Sequence, residues 1–137
     1  MKEVIEKYIQ VNHFGRFMEM EFAIIAPGEI VYTLPVRTQL LATETAAHGG
    51  ALAGLMDAVL GVAALSAVAE EQKRVATLEL KISYFGPAIE GDLITGKGHV
   101  IKKGKRIVFS EGELYNQKNE LIAKGSGTFT AYPIQEK

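Results

Sequence analysis

A glycine pair and an aspartate that follows it are the residues best suited to chemistry. Gly49 and Gly50 stand at the start of a long apolar segment, and Asp57 lies eight residues after Gly49. If the segment is a helix, its first turn presents backbone N–H groups without intrahelical acceptors, at the positive end of the helix dipole. Such donors stabilise the negative charge that develops on a carbonyl oxygen. A glycine pair also permits a tight turn into a helix, so the pair alone does not define a site.

Asp57 strengthens the chemical interpretation. Between Gly49 and Ala69 the only other polar side chain is Ser66. A carboxylate in such surroundings loses hydration and needs partners or a wet cleft. The alternative is that Asp57 faces solvent or bonds to nearby backbone. Its position shortly after the glycine pair favours the functional interpretation, in which Asp57 is a general base or a nucleophile.

Geometry predicts that one helix does not supply both groups to one substrate. Gly49 and Asp57 are about 12 Å apart along a helix that rises 1.5 Å per residue. A water on Asp57 must lie about 3 Å from the carboxylate and from the carbonyl carbon. Two antiparallel helices related by a twofold axis satisfy both distances. We therefore expect an active site that combines Gly49 of one subunit with Asp57 of the other.

The residue pattern predicts the elements that position these groups. A short amphipathic helix covers Lys2–Val11 and breaks at residues 12–15. Apolar residues then alternate with polar ones through a hairpin and four further strands. The expected order is helix, two strands, one long helix over residues 49–69, and four strands over residues 76–84, 93–101, 106–115 and 121–132. In the strand after the helix, we expect the buried face to consist of Ala76, Leu78, Leu80, Ile82 and Tyr84.

This order indicates an α+β fold in which a curved antiparallel sheet of about six strands surrounds one long central helix. The helix is apolar on nearly all sides, so it should be buried on nearly all sides. One small sheet covers only part of it, and we expect a second subunit to cover the rest. The helix is long enough to span a bilayer, but Asp57 near its middle and its Ala and Gly content argue against a membrane.

Composition sets the remaining limits. The chain has 137 residues, which suits one domain over residues 1–137. A net charge of −1 offers no general attraction for nucleic acid. The absence of Cys excludes disulfides, thiolate zinc sites and a cysteine nucleophile. Because the N-terminus has no continuous apolar run like that of a signal peptide, we expect a cytoplasmic protein.

Two segments carry a family resemblance. HGGALAGLMD at residues 48–57 and ATLELKISYFGPA at residues 76–88 resemble the hotdog-fold acyl-CoA thioesterases. The likeness is greatest to the phenylacetate-degradation type within the 4-hydroxybenzoyl-CoA thioesterase superfamily. The hairpin EFAIIAPGEIVYTLPV and the element order are also similar, so the resemblance covers nearly the whole chain.

The resemblance implies a hotdog fold, in dimers that often pair into tetramers, and an acyl-CoA substrate. It makes Asp57 the general base or nucleophile and the Gly49 N–H the group that polarises the thioester carbonyl. His48 would shape that loop, Gly50 would contribute to substrate binding, and Thr77 matches a hydroxyl that orients water. It implies no metal and no redox cofactor, with coenzyme A entering only as part of the substrate.

Two positions depart from the family pattern, and one basic turn adds a candidate. Many relatives carry Asn where this chain has Ala42 and Arg where it has Gly86, which removes one carbonyl or water contact and one anchor for the CoA phosphates. Lys105 and Arg106, with Lys102 and Lys103, form a basic turn that suits those phosphates. A solvated hairpin tip explains the same turn equally well.

Two rival functions stay open. One is a hotdog hydratase or dehydratase, which would need a catalytic His paired with an acid, and no second acid accompanies His48 in the sequence. The other is an acyl-CoA-binding domain without catalysis, since one fold hosts several functions. The acyl group, the tetramer arrangement and the choice between general-base and nucleophilic routes are not fixed by the sequence.

Overall fold

The computed structural model describes residues 1–135, which contain three α-helices and six β-strands. The helices are α1 (Lys2–Val11), α2 (His13–Phe17) and α3 (Gly49–Val68), and 3₁₀ turns cover Thr38–Leu40 and Ala69–Glu71. The strands are β1 (Glu21–Ala26), β2 (Glu29–Pro35), β3 (Lys73–Tyr84), β4 (Leu93–Lys103), β5 (Ile107–Tyr115) and β6 (Leu121–Pro133). The prediction of one long helix between two and four strands is confirmed.

All six strands form one antiparallel sheet in the order β1-β2-β4-β5-β6-β3. The sheet curves around α3, which contacts β2, β3, β4, β5 and β6. The predicted α+β architecture, with about six strands around one central helix, is therefore confirmed. β1 and β3 are the two edge strands of the sheet. β3 follows α3 in the chain and runs antiparallel to it.

Helix α3 is the centre of the core. Eleven of its residues are buried, among them Leu55, Met56, Val59 and Leu60. Glycines in β4 allow the sheet to approach closely, since a Cβ added at Gly98 would lie 2.6 Å from the Val59 carbonyl oxygen. Within the described residues α3 is the helix whose length and composition suit a membrane span. Its apolar surface is instead mostly packed against the sheet.

Strand β3 differs from the simple alternation that the sequence predicts. Leu78 forms a β-bulge, an extra residue in β3 that has no partner in β6. Thr77 pairs with Phe129, and Glu79 pairs with the neighbouring Thr128. The inward-facing residues are therefore Val75 and Thr77 before the bulge, and Leu80 and Ile82 after it. The prediction that Ala76 and Leu78 lie on the buried face was wrong, and Leu78 is 59% exposed. Tyr84 lies on the same face as Leu80 and Ile82, but at the end of the strand it is 47% exposed rather than buried.

The N-terminal region contains one element that the sequence pattern missed. Residues 12–15 were predicted as a break, but residues 13–15 belong to the short helix α2, and only Asn12 separates it from α1. The Asn12 side chain accepts a hydrogen bond from the Gly15 N–H at 3.1 Å and so caps this helix. Asn12 also ends α1, so the chain turns at this residue. Val4 and Ile5 of α1 pack with Leu65 near the C-terminal end of α3, whereas Phe14 of α2 reaches Gly54 in its first half.

Candidate active site

The start of α3 offers one free backbone donor. His48 is the N-cap in an extended conformation, and its Nδ1 accepts a hydrogen bond from the Gly50 N–H at 2.7 Å. The Gly49 N–H has no acceptor within residues 1–135. The acceptor role of Nδ1 places the proton of a neutral His48 ring on Nε2. Of the two predicted glycine donors, Gly49 is available to a ligand and Gly50 is occupied by His48.

Tyr84 holds the same helix start from the other side. Its hydroxyl donates a hydrogen bond to the Gly49 carbonyl oxygen at 2.7 Å. The contact joins the last residue of β3 to the first residue of α3. It holds the Gly49–Gly50 peptide, which directly follows the free Gly49 N–H. Sequence reasoning missed this role because regular alternation placed Tyr84 in the core.

Two residues named separately as site candidates, Asp57 and Thr77, are in direct contact. The Thr77 hydroxyl donates to Asp57 Oδ1 at 2.8 Å. Asp57 is half-buried and Thr77 is exposed, so water reaches the pair. The bulge at Leu78 is the reason that Thr77 faces the helix, because uninterrupted alternation would place it with Glu79 on the opposite face.

A cavity of about 360 Å³ opens beside Asp57. Its floor is one face of α3, its roof is α1 with the α1–α2 turn, and its side is formed by β3 and β6. Phe14 closes part of the mouth, since its ring lies 3.2 Å from a Cβ added at Gly54. A largely apolar cavity therefore lies directly beside a carboxylate that water can reach.

Two tyrosines lie behind the carboxylate. Burial raises the pKa of Tyr8, the Tyr32 phenol beside it lowers that pKa, and the Asp57 charge raises it. Burial, with the neighbouring Tyr8 phenol, raises the pKa of Tyr32 well above its usual value. Although the two phenols are close, no hydrogen bond of normal geometry satisfies the buried Tyr32 hydroxyl within residues 1–135. Tyr8 and Tyr32 therefore remain neutral at physiological pH.

Other predicted site residues lie apart from Asp57. Gly49 and Asp57 are on one helix, separated by about 12 Å along its axis. Lys105 and Arg106 form the turn between β4 and β5, where the Lys105 carbonyl accepts from Lys73 Nζ at 3.4 Å. Neither side chain lines the cavity at Asp57. In this turn Lys103 pairs with Glu71, and Lys103 with Lys73 lowers the pKa of that carboxyl group.

Solved structures with this architecture identify the fold. The E. coli PaaI protein from the phenylacetic acid degradation operon matches with a TM-score of 0.82 over 98% of this chain and 94% of that protein, at 21% identity. A protein of Streptococcus pneumoniae described as a hypothetical thioesterase, solved with coenzyme A, matches with a TM-score of 0.76, over 85% of this chain and 91% of that chain, at 24% identity. The fold is the hotdog fold, as the resemblance implies.

Sequence comparison gives the family. The thioesterase superfamily matches residues 45–123, which include the start of α3, Asp57 and Thr77. Human acyl-coenzyme A thioesterase 13 is 28% identical over 130 residues, covering 93% of this chain and 91% of that protein. The chain belongs to the thioesterase superfamily and is a thioester hydrolase. The resemblance carried by residues 48–57 and 76–88 is confirmed.

Proposed function

We propose that this protein hydrolyses acyl-CoA thioesters, with Asp57 as the catalytic carboxylate and the Gly49 N–H as the oxyanion donor. The observation that carries the proposal is the bond from Thr77 to Asp57 beside an apolar cavity. The names of the human relative and of the coenzyme A complex support the choice of substrate. The free Gly49 N–H supplies the second group that thioester hydrolysis needs.

The reaction uses these groups in one of two ways. In the general-base route, Asp57 removes a proton from water, the hydroxide attacks the thioester carbon, and the C–S bond breaks to release the acid and the thiol. In the nucleophilic route, Asp57 attacks the same carbon and expels the thiolate, and water then hydrolyses the anhydride. In both routes the Gly49 N–H stabilises the oxyanion, a contribution typically worth about 10² to 10³ in rate.

Three features support an active site shared between two subunits. The separation of Gly49 and Asp57 on one helix is too large for both groups to act on one carbonyl. The outer edge of β3 pairs with no strand within residues 1–135, and an unpaired edge is a template for a second chain. Exposed apolar side chains accompany this edge, including Leu78 and Phe85 at 59% and 60% exposure. We propose an antiparallel homodimer that joins Gly49 of each subunit to Asp57 of the other; pairing of two dimers into a tetramer remains part of the proposal.

The first experiment measures thiol release from short, long and aryl acyl-CoAs by the wild type and by Asp57→Asn. We expect a loss of at least about a hundredfold in the variant, the lower end of what a general base contributes. Asp92 is the only other aspartate in the chain, so Asp92→Asn is the matched control. Unchanged turnover in Asp57→Asn would refute the role of this carboxylate. Binding without thiol release, or hydration of an enoyl-CoA, would replace the proposed reaction with one of its two rivals.

A second experiment removes only the oxyanion donor. Gly49→Pro deletes the N–H at the first helical position, where Pro is well tolerated, and the extended conformation of His48 suits a following Pro. Gly49→Ala keeps the N–H and serves as the matched control. We expect kcat to fall about 10²-fold or more for Pro and to change little for Ala. Equal losses in both variants would assign the effect to packing against Tyr84.

Mixing two inactive variants tests the shared site. If Gly49 and Asp57 act across the dimer, a hybrid of Gly49→Pro and Asp57→Asn subunits contains one intact site. Random reassociation should then restore about a quarter of wild-type activity, because half of the dimers are hybrids and each has one working site of two. No recovery above the separate variants, with hybrids shown to form, would contradict the shared site.

A further inference from the structure

Two hydrogen bonds tie β3 to α3 at two different levels of the helix. Tyr84 bonds to Gly49 at the helix start, and Thr77 bonds to Asp57 farther along. In the proposed shared site, Gly49 of one subunit lies beside Asp57 of the other. The same twofold axis must then bring Tyr84 close to the partner's Thr77. The axis therefore crosses β3 about midway between Thr77 and Tyr84.

This midpoint leaves two registers for the pairing of β3 with its own copy. In an antiparallel pair, side chains that are directly opposite lie on the same face of the sheet, and successive side chains alternate between faces. About a twofold axis, one residue of β3 is therefore opposite its own copy. Midway between Thr77 and Tyr84, that residue is Leu80 or Lys81. The two registers bring different charges together.

Two exposed charges flank Leu80 on the face of β3 that points away from α3, Glu79 and Lys81. Their neighbours across β6 are Thr128 and Ser126, which are uncharged, and neither residue forms an ion pair within residues 1–135. An axis at Leu80 places each Glu79 opposite the partner's Lys81. An axis at Lys81 places two lysines opposite each other. Opposite charges stabilise a strand pair and like charges destabilise it, so charge complementarity favours the axis at Leu80.

We propose that a second copy of this chain pairs with β3 in the register centred on Leu80, is held there by two ion pairs between Glu79 and Lys81, and contributes its Ile82 to the active site. The proposal rests on the proposed shared site. Leu80 is half-buried and faces α3, so it meets its own copy below the two helices. The pairing thus combines an apolar contact on the inner face with two ion pairs on the outer face.

The bulge determines which residue of the partner lies beside Asp57. Leu78 is an extra residue in β3, so the pairing passes over it and Thr77 falls opposite the partner's Ile82. Both side chains face the helices, because Thr77 bonds to Asp57 and Ile82 packs against the core. The pair of Thr77 and Asp57 therefore has an apolar neighbour that the other subunit supplies.

Disulfide cross-linking distinguishes the registers, because the chain contains no Cys and introduced thiols are the only ones present. Glu79→Cys and Lys81→Cys are oxidised separately and after subunit exchange between the two. We expect linked dimers in the mixture and few in either variant alone. Efficient linking of Lys81→Cys alone would place the axis at Lys81, and linking of Glu79→Cys alone would place it at Glu79. Either result, or a mixture that dimerises without linking, would overturn the proposal.

A charge exchange tests the ion pairs without cross-linking. Glu79→Lys and Lys81→Glu should each raise the Kd of the dimer by roughly tenfold or more at low salt, because two attractive pairs become repulsive. The variant that carries both substitutions should recover most of the affinity. Glu111→Lys reverses a charge on β5, which lies two strands from the edge, and should change the Kd little. A double variant as weak as the single ones would overturn the register.

Both measurements need no substrate, so they are independent of the proposed reaction. The expected links together with no hydrolysis of any thioester would support the register and refute the thioesterase function. Hydrolysis that depends on Asp57, in a protein that links only as Lys81→Cys, would support the function and overturn the register.

Discussion

Thr77 Oγ1 donates a hydrogen bond to Asp57 Oδ1 over 2.8 Å, from a bulged edge strand to the central helix. The bond occupies one carboxylate oxygen and fixes the plane of the carboxylate, so that Oδ2 is left to contact water or substrate. This arrangement suits either route of the proposed reaction, since both require one carboxylate oxygen at a defined position.

Thr77→Val retains the shape of the side chain and removes the hydroxyl. We expect kcat to fall roughly tenfold or more, because the carboxylate loses a charge-assisted bond that orients it. Thr77→Ser keeps the donor and should preserve most activity. Steady-state kinetics with one acyl-CoA distinguish the two variants, and a Val variant as active as the wild type would show that the bond does not position Asp57.

Tyr84→Phe removes the bond between the end of β3 and the Gly49 carbonyl. We expect the free energy of unfolding to fall by about 1 kcal/mol, the usual net value of such a bond, together with a loss in kcat. Urea unfolding measures the first effect and thiol release measures the second. Tyr115→Phe is the control, since its ring contacts Lys97 and its hydroxyl donates to no residue within the described chain. Equal changes in stability and in kcat for the two substitutions would show that the bond from Tyr84 to Gly49 stabilises neither the fold nor the helix start.

Gly61→Ala and Gly98→Ala should have opposite effects on stability. A Cβ at Gly61 meets Phe129 at 3.4 Å and enters the cavity, and Ala favours a helix over Gly by up to about 1 kcal/mol. We therefore expect higher stability but slower turnover of long acyl-CoAs than of short ones. A Cβ at Gly98 would lie 2.6 Å from the Val59 carbonyl oxygen, so that variant should be strongly destabilised. Chemical denaturation and a chain-length series test both expectations, and a destabilised Gly61→Ala would contradict the assignment of free space at that position.

Alkaline stability should depend on the two buried tyrosines. Burial raises the pKa of Tyr8 and of Tyr32 above the usual 10.0, so folding favours the protonated phenols. Their contribution is fully present below pH 10 and is lost as the pH rises above it, because the unfolded state releases its protons first. Tyr32→Phe removes one such group together with a hydroxyl that lacks a partner. We expect unfolding experiments between pH 8 and 11, a window set by the usual tyrosine pKa of about 10, to show a shallower decline in the variant and equal or higher stability at pH 8. A decline as steep as that of the wild type would show that folding does not raise the pKa of Tyr32.

The order of elements and the main residues of the site were predictable, whereas the shape of the cavity was not. Apolar periodicity is a local property, and it located α3 and most strands. The family resemblance named Asp57 and Thr77 as candidates, and their contact is visible only in the structure. The bulge at Leu78 depends on the register between β3 and β6, which no local pattern specifies. Tyr8 reaches the cavity through the packing of α1 on α3, so its place beside Asp57 becomes visible only in three dimensions.

The extra residue at Leu78 divides β3 into two segments of opposite phase. A one-residue deletion there would alter the composition very little, but it would exchange the faces of every residue on one side of the deletion. Thr77 would then turn away from Asp57 while the strand still paired with β6. The contact between this hydroxyl and the carboxylate therefore depends on the number of residues in β3 as well as on their types. A single-residue insertion or deletion in the strand would remove or restore the contact as effectively as a substitution.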